Sequence, residues 1–223
     1  MKYKVVVLGG KGTAVVVAEH IHDANLRGAD IELLGYAFDD PAFGTEINGT
    51  PILCGTRDAY QRFGHLQDVR FIFQMYRSDL MKERVALRES FGIPLERYHT
   101  FVHPSAVVMK SVRLGHGTVV MAGVVIMPNA VIGDHCTVLA ATTIGHDTSM
   151  GDNNFLATHV VLGSGCRIGE RNFFGMNVTV NTRASLGDDC HIAMASNVVR
   201  DLPNGSRVRG NPARPYEGVT RAT

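Results

Sequence analysis

The apolar residues between positions 102 and 198 recur with a strict period of six. Every sixth residue in this stretch is apolar: Val102, Val108, Leu114, Val120, Ile126, Ile132, Val138, Ile144, Met150, Leu156, Leu162, Ile168, Phe174, Val180, Leu186, Ile192 and Val198. Hydrophobic residues make up only 45% of the chain, so an unbroken series of this length is a structural signal. A helix repeats about every 3.6 residues, so a period of six does not predict one.

The other positions of the six-residue unit indicate a short strand followed by a tight corner. Four residues after each of the first sixteen apolar positions, the side chain is small, β-branched or Asn, which suits the inside of a corner. The residue directly after the apolar one is often glycine: Gly115, Gly133, Gly145, Gly151, Gly163, Gly169, Gly175 and Gly187. We expect these glycines to adopt backbone angles that a side chain would hinder. Three units would make one coil of about 18 residues, and the coils would stack about 4.8 Å apart as a hexapeptide parallel β-helix.

The residues before the repeat alternate between strand-like and helix-like patterns. Strands are predicted at 3–8, 31–38, 69–73 and 98–102, and helices at 13–26, 57–63 and 79–91. Ser78 is the expected N-cap of the last helix. This order predicts a small, Rossmann-like parallel α/β sheet. We therefore expect two domains, an α/β domain at 1–101 and a β-helix domain with a C-terminal tail at 102–223.

Composition and charge narrow the classes of partner. The formal net charge is +1 with both signs mixed, which gives no reason to expect nucleic acid or a membrane surface as a partner. No apolar run approaches the length of a membrane span, and the first residues lead directly into a strand, so we expect a cytoplasmic protein without a cleaved signal peptide. The four cysteines and the histidines have no zinc-site spacing, so no metal is expected. Cys136, Cys166 and Cys190 occupy the small inner position and are expected to be buried and unpaired.

Two stretches of the α/β part suit a nucleotide ligand. Gly9-Gly10-Lys11-Gly12 follows the first strand and precedes a helix, where free N–H groups and the helix dipole favour phosphate. The full G-x-G-x-x-G spacing is absent, so an ordinary strand–helix turn is an equal alternative. Asp39-Asp40, after the second strand, either accepts hydrogen bonds from a ribose or a base, or forms a solvated turn.

Because side chains fill the interior of a β-helix, its chemistry must lie on the outer surface. His146-Asp147 falls at a corner of the repeat, where a neutral imidazole can accept a proton and a carboxylate can raise its basicity. Other histidines in the repeat compete for this role: His103, His116, His135, His159 and His191. Spacing in the sequence does not choose between them.

Several motifs spread over nearly the whole chain resemble one enzyme family. They are the Gly-rich turn, Phe38-Asp39-Asp40-Pro41, residues 46–53, residues 103–107, Ile144-Gly145-His146-Asp147 and Gly210-Asn211-Pro212-Ala213-Arg214. The chain resembles the left-handed β-helix sugar acyltransferases that include sialic acid O-acetyltransferases and bacillosamine and perosamine N-acetyltransferases. The resemblance implies a homotrimer with active sites between adjacent copies. It also implies acetyl-CoA as the donor and a nucleotide-linked amino sugar as the acceptor.

The resemblance also implies roles for individual residues. His146 matches the general base, and Asp147 matches the acidic residue that increases its basicity. Gly10, Lys11, Gly12, Thr13, Asp39 and Asp40 match the nucleotide-sugar site, and Phe155, Ser164, Met176 and Met194 match positions that contact CoA. Thr13 and Phe155 stand where the family usually has His, Lys11 where it has a small residue, and Met194 where it has Gly.

The leading interpretation is therefore an N-acetyltransferase for a nucleotide-linked amino sugar. O-acetylation of a sugar of the sialic acid type is the nearest alternative. A metal-dependent enzyme on the same β-helix and a non-catalytic β-helix protein are alternatives of other classes. The departures from the family pattern leave the sugar and the nucleotide open.

Overall fold

The computed structural model describes residues 2–217. The chain divides into two compact units. The first contains the residues up to Pro104 together with His116–Met121, and the second contains Ser105–Gly115 and the residues from Ala122 onward. The predicted fold class, a Rossmann-like α/β part followed by a left-handed parallel β-helix, is confirmed. The predicted boundary between residues 101 and 102 stays a prediction.

The first unit contains a five-stranded sheet with helices. Its elements are β1 (Tyr3–Leu8), α1 (Thr13–Leu26), β2 (Ile31–Ala37), β3 (Glu46–Ile47), β4 (Thr50–Cys54), α2 (Ala59–Phe63), β5 (Val69–Phe73) and α3 (Met81–Glu89). The strand order is β3-β4-β2-β1-β5, and β1 is parallel to both β2 and β5. Val5 to Leu8 are fully buried, as expected for a central strand covered on both sides.

The structure corrects three details of the predicted α/β part. The antiparallel hairpin of β3 and β4 was not predicted, because its strands are short. Helix α3 begins at Met81 after an N-cap at Leu80 that has no side-chain hydrogen bond, so the prediction of Ser78 as the cap was wrong. The segment predicted as a strand at 98–102 forms only β6 (Phe101–Val102), and Tyr98 makes an isolated bridge to Phe71.

His99 makes the stability of the chain depend on pH. Burial lowers the pKa of His99 from 6.5 to about 4, with a smaller effect from the positive charge of Arg70. The folded chain thus holds a neutral imidazole at pH values where the unfolded chain binds a proton. We expect the free energy of unfolding to be unaffected above pH 6.5 and to fall between pH 6.5 and about 4. The slope should be at most about 1.4 kcal/mol per pH unit.

Urea titrations of the wild type and His99→Gln at several pH values test this expectation. The difference in unfolding free energy between the two proteins should change across that window, because the other titrating groups are common to both. A difference that is the same at pH 7 and pH 4.5 contradicts the assignment.

The second unit consists of two-residue strands in parallel ladders. The first face contains β7 (Val107–Val108), β10 (Val125–Ile126), β13 (Thr143–Ile144), β16 (Val161–Leu162), β19 (Thr179–Val180) and β22 (Asn197–Val198). The second face contains β8 (Arg113–Leu114), β11 (Val131–Ile132), β14 (Ser149–Met150), β17 (Arg167–Ile168) and β20 (Ser185–Leu186). The third face contains β12 (Thr137–Val138), β15 (Phe155–Leu156), β18 (Phe173–Phe174), β21 (His191–Ile192), β23 (Arg207–Arg209) and the antiparallel β24 (Arg214–Pro215). In the first unit, β6 pairs in parallel with β9 (Val119–Val120).

These strands explain the period of six, because the second residue of each strand points into the prism that the three faces enclose. Ile126, Ile144 and Leu162 are at most 1% exposed, and the small residues of the inner corners, such as Cys136 and Cys166, are fully buried. Cys136, Cys166 and Cys190 are buried and free, as predicted, and Cys54 is also free. Val102, at the start of the series, is 38% exposed, so the second residue of β6 is not buried as those of β9 to β22 are.

The repeated glycines have a different cause from the predicted one. None of the eight has a positive φ; they are required because the next coil leaves no room for a side chain. A Cβ atom on Gly163 would lie 2.6 Å from the backbone nitrogen of Thr182. The left-handed backbone lies instead two residues further on, for example at Asn129 (φ 64°) and Asp147 (φ 58°). The sharp corner therefore falls at a position that the sequence does not mark with a single residue type.

Candidate functional site

His146 and Asp147 lie together at the corner between the first and second faces. They follow β13 and precede β14, and the side chains of both are 56% exposed. The Nδ1 atom of His146 is 2.6 Å from Oδ2 of Asp147. The two residues that were predicted to form a catalytic pair are therefore in hydrogen-bond contact on the outer surface.

The backbone of the corner determines this contact. Asp147 adopts the left-handed conformation, and its N–H donates to the carbonyl of Pro128 at 3.0 Å. The carbonyl of His146 accepts from the N–H of Gly165 at 2.8 Å. The corner is thus tied to the preceding coil and to the following one.

Asn129 is a site residue that the sequence analysis missed. Its Nδ2 donates to Oδ1 of Asp147 at 2.9 Å, from a position one coil earlier. The hydrogen bond from His146, and then the one from Asn129, lower the pKa of Asp147 below its usual value. The only signal in the sequence was the spacing of 18 residues between Asn129 and Asp147, which places them at the same corner of adjacent coils.

A charged Asp147 fixes the proton on the imidazole. A carboxylate only accepts hydrogen bonds, so Nδ1 of His146 must carry the hydrogen that lies between the two groups. In the neutral ring this leaves the lone pair on Nε2, directed away from Asp147. The pair can therefore accept a proton from a molecule bound at this corner.

The other histidines of the repeat differ from His146. His103 is 2% exposed and its Nε2 contacts Asp23 at 2.9 Å, while His135 is 4% exposed. Nδ1 of His191 contacts the hydroxyl of Tyr216 at 2.9 Å. His116 and His159 are exposed. Within residues 2–217, the ring of His159 makes no ion pair with a carboxylate.

The predicted CoA-binding residues occupy three different places. Ser164 lies one coil above His146, and its backbone nitrogen would be 2.5 Å from a Cβ atom on Gly145. Met176 and Met194 lie at the corner after the third face, 47% and 61% exposed. Phe155 is only 8% exposed, because its ring stacks on Phe173 with the centroids 5.4 Å apart. The roles of all four residues stay predictions.

The Gly-rich turn of the first unit has free donors and a nearby cation. Gly12 has a positive φ of 53° and precedes α1, which begins at Thr13. Within residues 2–217, the N–H groups of Lys11 and Gly12 donate to no backbone carbonyl. Gly10 has no room for a side chain, because a Cβ atom there would collide with the ring of Phe38. A Cβ atom on Gly12 would meet no atom within 4 Å, so open space adjoins the turn at Gly12 and not at Gly10.

Lys11 is held at this turn by a carboxylate and an aromatic ring. Its Nζ is 2.6 Å from Oδ2 of Asp40 and 5.0 Å from the centroid of the Phe43 ring. The hydrogen bond from Lys11 lowers the pKa of Asp40, and the N–H of Ala42 adds to this effect. Both residues remain partly exposed, so the ammonium group can change partners.

Asp39 has a different environment from Asp40. Its Oδ1 accepts from the N–H of Thr56 at 2.9 Å, and its Oδ2 accepts from the Thr56 hydroxyl at 2.5 Å. Asp39 therefore fixes the loop after β2, while Asp40 faces Lys11. Among the described residues, no three His, Cys, Asp or Glu side chains are arranged to hold a metal, and no helix has the length and apolar character to cross a membrane.

Residues 111–146 match the family model of bacterial transferase hexapeptide repeats (six repeats). The UDP-N-acetylbacillosamine N-acetyltransferase of Bacillus subtilis (strain 168) is 33% identical over 119 residues. These residues are 53% of this chain and 51% of that protein, so the match spans about half the length of the curated relative.

Solved structures match nearly the whole chain. A mutant of perosamine N-acetyltransferase from Caulobacter crescentus, in complex with CoA and GDP-perosamine, is 28% identical with a TM-score of 0.83. The match covers 96% of this chain and 97% of that one. The resemblance to hexapeptide-repeat sugar acyltransferases is confirmed. The acetyltransferase domain of PglB from Neisseria gonorrhoeae FA1090 also resembles this hexapeptide-repeat chain, with 25% identity, a TM-score of 0.79 and coverage of 96% and 100%.

Proposed function

We propose that the chain is an acetyl-CoA-dependent N-acetyltransferase that acts on a nucleotide-linked amino sugar. The observation that carries the proposal is the exposed His146–Asp147 pair, with Nδ1 bound to the carboxylate and Nε2 available. The similarity to a perosamine N-acetyltransferase in complex with CoA and GDP-perosamine supports the choice of donor and acceptor.

In the proposed reaction, the acetyl group passes directly from CoA to the amine. Nε2 of His146 takes a proton from the amine as the amine nitrogen attacks the thioester carbonyl. The carbon–sulfur bond then breaks, an amide forms, and the proton on His146 passes to the departing CoA thiolate. Positioning of the two substrates supplies most of the acceleration, and the base contributes about 10²- to 10⁴-fold.

The nucleotide sugar is proposed to bind at the Gly-rich turn. The N–H groups of Lys11 and Gly12 and the start of α1 at Thr13 are the donors for its phosphates. Lys11 would leave Asp40 for a phosphate, which frees the Asp40 carboxylate to accept hydrogen bonds from ribose hydroxyls or a base. Gly10 leaves room for the Phe38 ring beneath the turn, and Asp39 holds the loop through Thr56.

The CoA arm is proposed to run past Ser164, which lies one coil above the base. Met176 and Met194 offer exposed, polarisable side chains for its apolar parts. Phe155 would contribute to CoA binding through the aromatic stack that it forms with Phe173. These assignments rest on the family resemblance and, for Met176 and Met194, on the exposure of their side chains.

We also propose a homotrimer with a site between each pair of copies. The outward positions of the first face carry no charge: Val107, Val125, Thr143, Val161, Thr179 and Asn197. Val107 and Val161 are 49% and 42% exposed, and a second copy would cover them. Analytical ultracentrifugation should give three times the chain mass, and a monomer at assay concentration contradicts this part. The cytoplasmic location stays a prediction.

A substrate panel tests the proposed function. UDP-, GDP- and dTDP-linked amino sugars are each incubated with acetyl-CoA, and release of the CoA thiol is measured. The matched controls are the same nucleotide sugars with a hydroxyl in place of the amine. We expect turnover with at least one amino sugar, none with its hydroxyl partner, and no loss of turnover in EDTA.

Binding provides a second measurement for the panel. A ligand at about 100 times its Kd should raise the unfolding free energy by about 2.7 kcal/mol, which appears as a higher Tm. The proposal fails if acetyl-CoA neither raises the Tm nor loses its acetyl group with any acceptor. Turnover of the hydroxyl sugars alone would instead assign an O-acetyltransferase.

A further inference from the structure

We infer that Asn129 is a positioning residue that holds the Asp147 carboxylate in the orientation in which it fixes the tautomer of His146. The inference rests on the proposed function, because it concerns the same base. It starts from the two oxygens of Asp147: Oδ2 contacts the imidazole at 2.6 Å and Oδ1 accepts from Asn129 at 2.9 Å. Within residues 2–217, no third side chain contacts this carboxylate.

Exposure explains why the orientation needs a hydrogen bond. The side chains of His146 and Asp147 are both 56% exposed, so packing does not restrict their rotation. A solvated carboxylate next to a solvated imidazole would exchange between rotamers, and in some of them it would form hydrogen bonds with water instead of with the ring. The amide of Asn129 removes this freedom, because it holds one oxygen while the other meets the ring.

Asn129 is itself held in place by the preceding coil. Its N–H donates to the hydroxyl oxygen of Ser111 at 2.9 Å, and its backbone has a positive φ of 64°. Ser111, Asn129 and Asp147 occupy the same corner of three successive coils. A series of hydrogen bonds therefore runs from Ser111 through Asn129 and Asp147 to the ring of His146. The two preceding coils orient the base in this way.

Loss of the Asn129 amide should affect the chemical step and not substrate binding. The imidazole would lose its fixed partner for part of the time, so kcat should fall by about tenfold, the worth of one charge-assisted hydrogen bond. The KM values for the donor and the acceptor should stay within about twofold.

Asn129→Gly is the appropriate variant. Glycine adopts a positive φ without strain, so the substitution removes the amide and leaves the corner intact. Asn177→Gly is the matched control, because Asn177 is an exposed asparagine with φ 58° at a different corner of the β-helix. The control should retain the wild-type kcat and KM values.

A double-mutant cycle with Asp147→Ala makes the test specific. If Asn129 acts through Asp147, then Asn129→Gly should lower kcat in the wild type and have no further effect in the Asp147→Ala background. Additive effects of the two substitutions overturn the inference.

A spectroscopic measurement separates this inference from the proposed function. The ¹⁵N chemical shifts of the His146 ring report which nitrogen carries the hydrogen, with or without activity. The wild type should be held in the Nδ1–H tautomer, and Asn129→Gly should show a mixture of tautomers. If the wild type transfers no acetyl group but shows this difference, the proposed function fails and the inference on Asn129 stands. If the wild type is active and both proteins have the same tautomer, only the inference on Asn129 fails.

Discussion

Replacing His146 with Gln should lower kcat by about 10²- to 10⁴-fold, while the protein remains folded and the KM values change little. The expected loss is large because the amine must release its proton as the carbon–nitrogen bond forms, and within residues 2–217 no other imidazole lies at this corner. Gln keeps a polar group of similar length but cannot accept and return a proton. The side chain is 56% exposed, so its replacement should not disturb the core of the prism.

His159→Gln is the matched control for this experiment. His159 is an exposed histidine with a positive φ at another corner of the β-helix, so its replacement should leave kcat unchanged. The measurement is steady-state kinetics with the acceptor that the substrate panel selects, together with a Tm for each variant. Turnover of His146→Gln within threefold of the wild type would remove His146 from the role of base.

Gly163→Ala should reduce the free energy of unfolding by about 3 kcal/mol, at the upper end of the cost of overpacking. Its φ is not positive, so the cost comes from steric contact alone. The new Cβ atom would lie 2.6 Å from the nitrogen and 2.8 Å from the Cα of Thr182. These are backbone atoms of the next coil, which cannot move without breaking the ladder between β16 and β19.

Gly165→Ala provides the comparison, only two residues away. Gly165 has a positive φ of 67°, and the nearest atom to its Cβ would be Cγ of Arg183 at 3.5 Å. Its replacement should cost only the backbone strain, about 1–2 kcal/mol. Urea denaturation of both variants measures the difference. Equal losses, or a larger loss for Gly165→Ala, would show that backbone angle and not space limits the coil.

The sequence predicted the parts of the fold that depend on local patterns. The period of six identified the parallel β-helix, and strand β1 and helix α1 begin and end at the predicted residues. The reason for the repeated glycines was not predictable in the same way. It depends on the distance between successive coils, which appears only when Gly163 and Thr182 are placed one above the other.

The candidate site shows the same division. His146 and Asp147 are adjacent in the sequence, so their contact could be predicted from a local motif. The contact of Asp147 with Asn129 could not be predicted in this way. The Asn129 amide belongs to another coil, and its direction depends on the left-handed backbone of that corner. The sequence also did not show that Asp39 and Asp40 have different environments. Their separation depends on Thr56 and Lys11, which lie 17 and 29 residues away along the chain.

The parallel ladders also determine how the second unit loses its structure. Each coil of this unit makes its backbone hydrogen bonds to the coils directly before and after it, as the bonds of His146 and Asp147 illustrate. Such a stack unravels from its last turns inward, and the loss of one terminal turn leaves the inner ones paired. The coil of His146 has neighbours on both sides, so fraying at the C-terminal end would leave its geometry unchanged. The reactive corner is thus protected by its place in the middle of the stack.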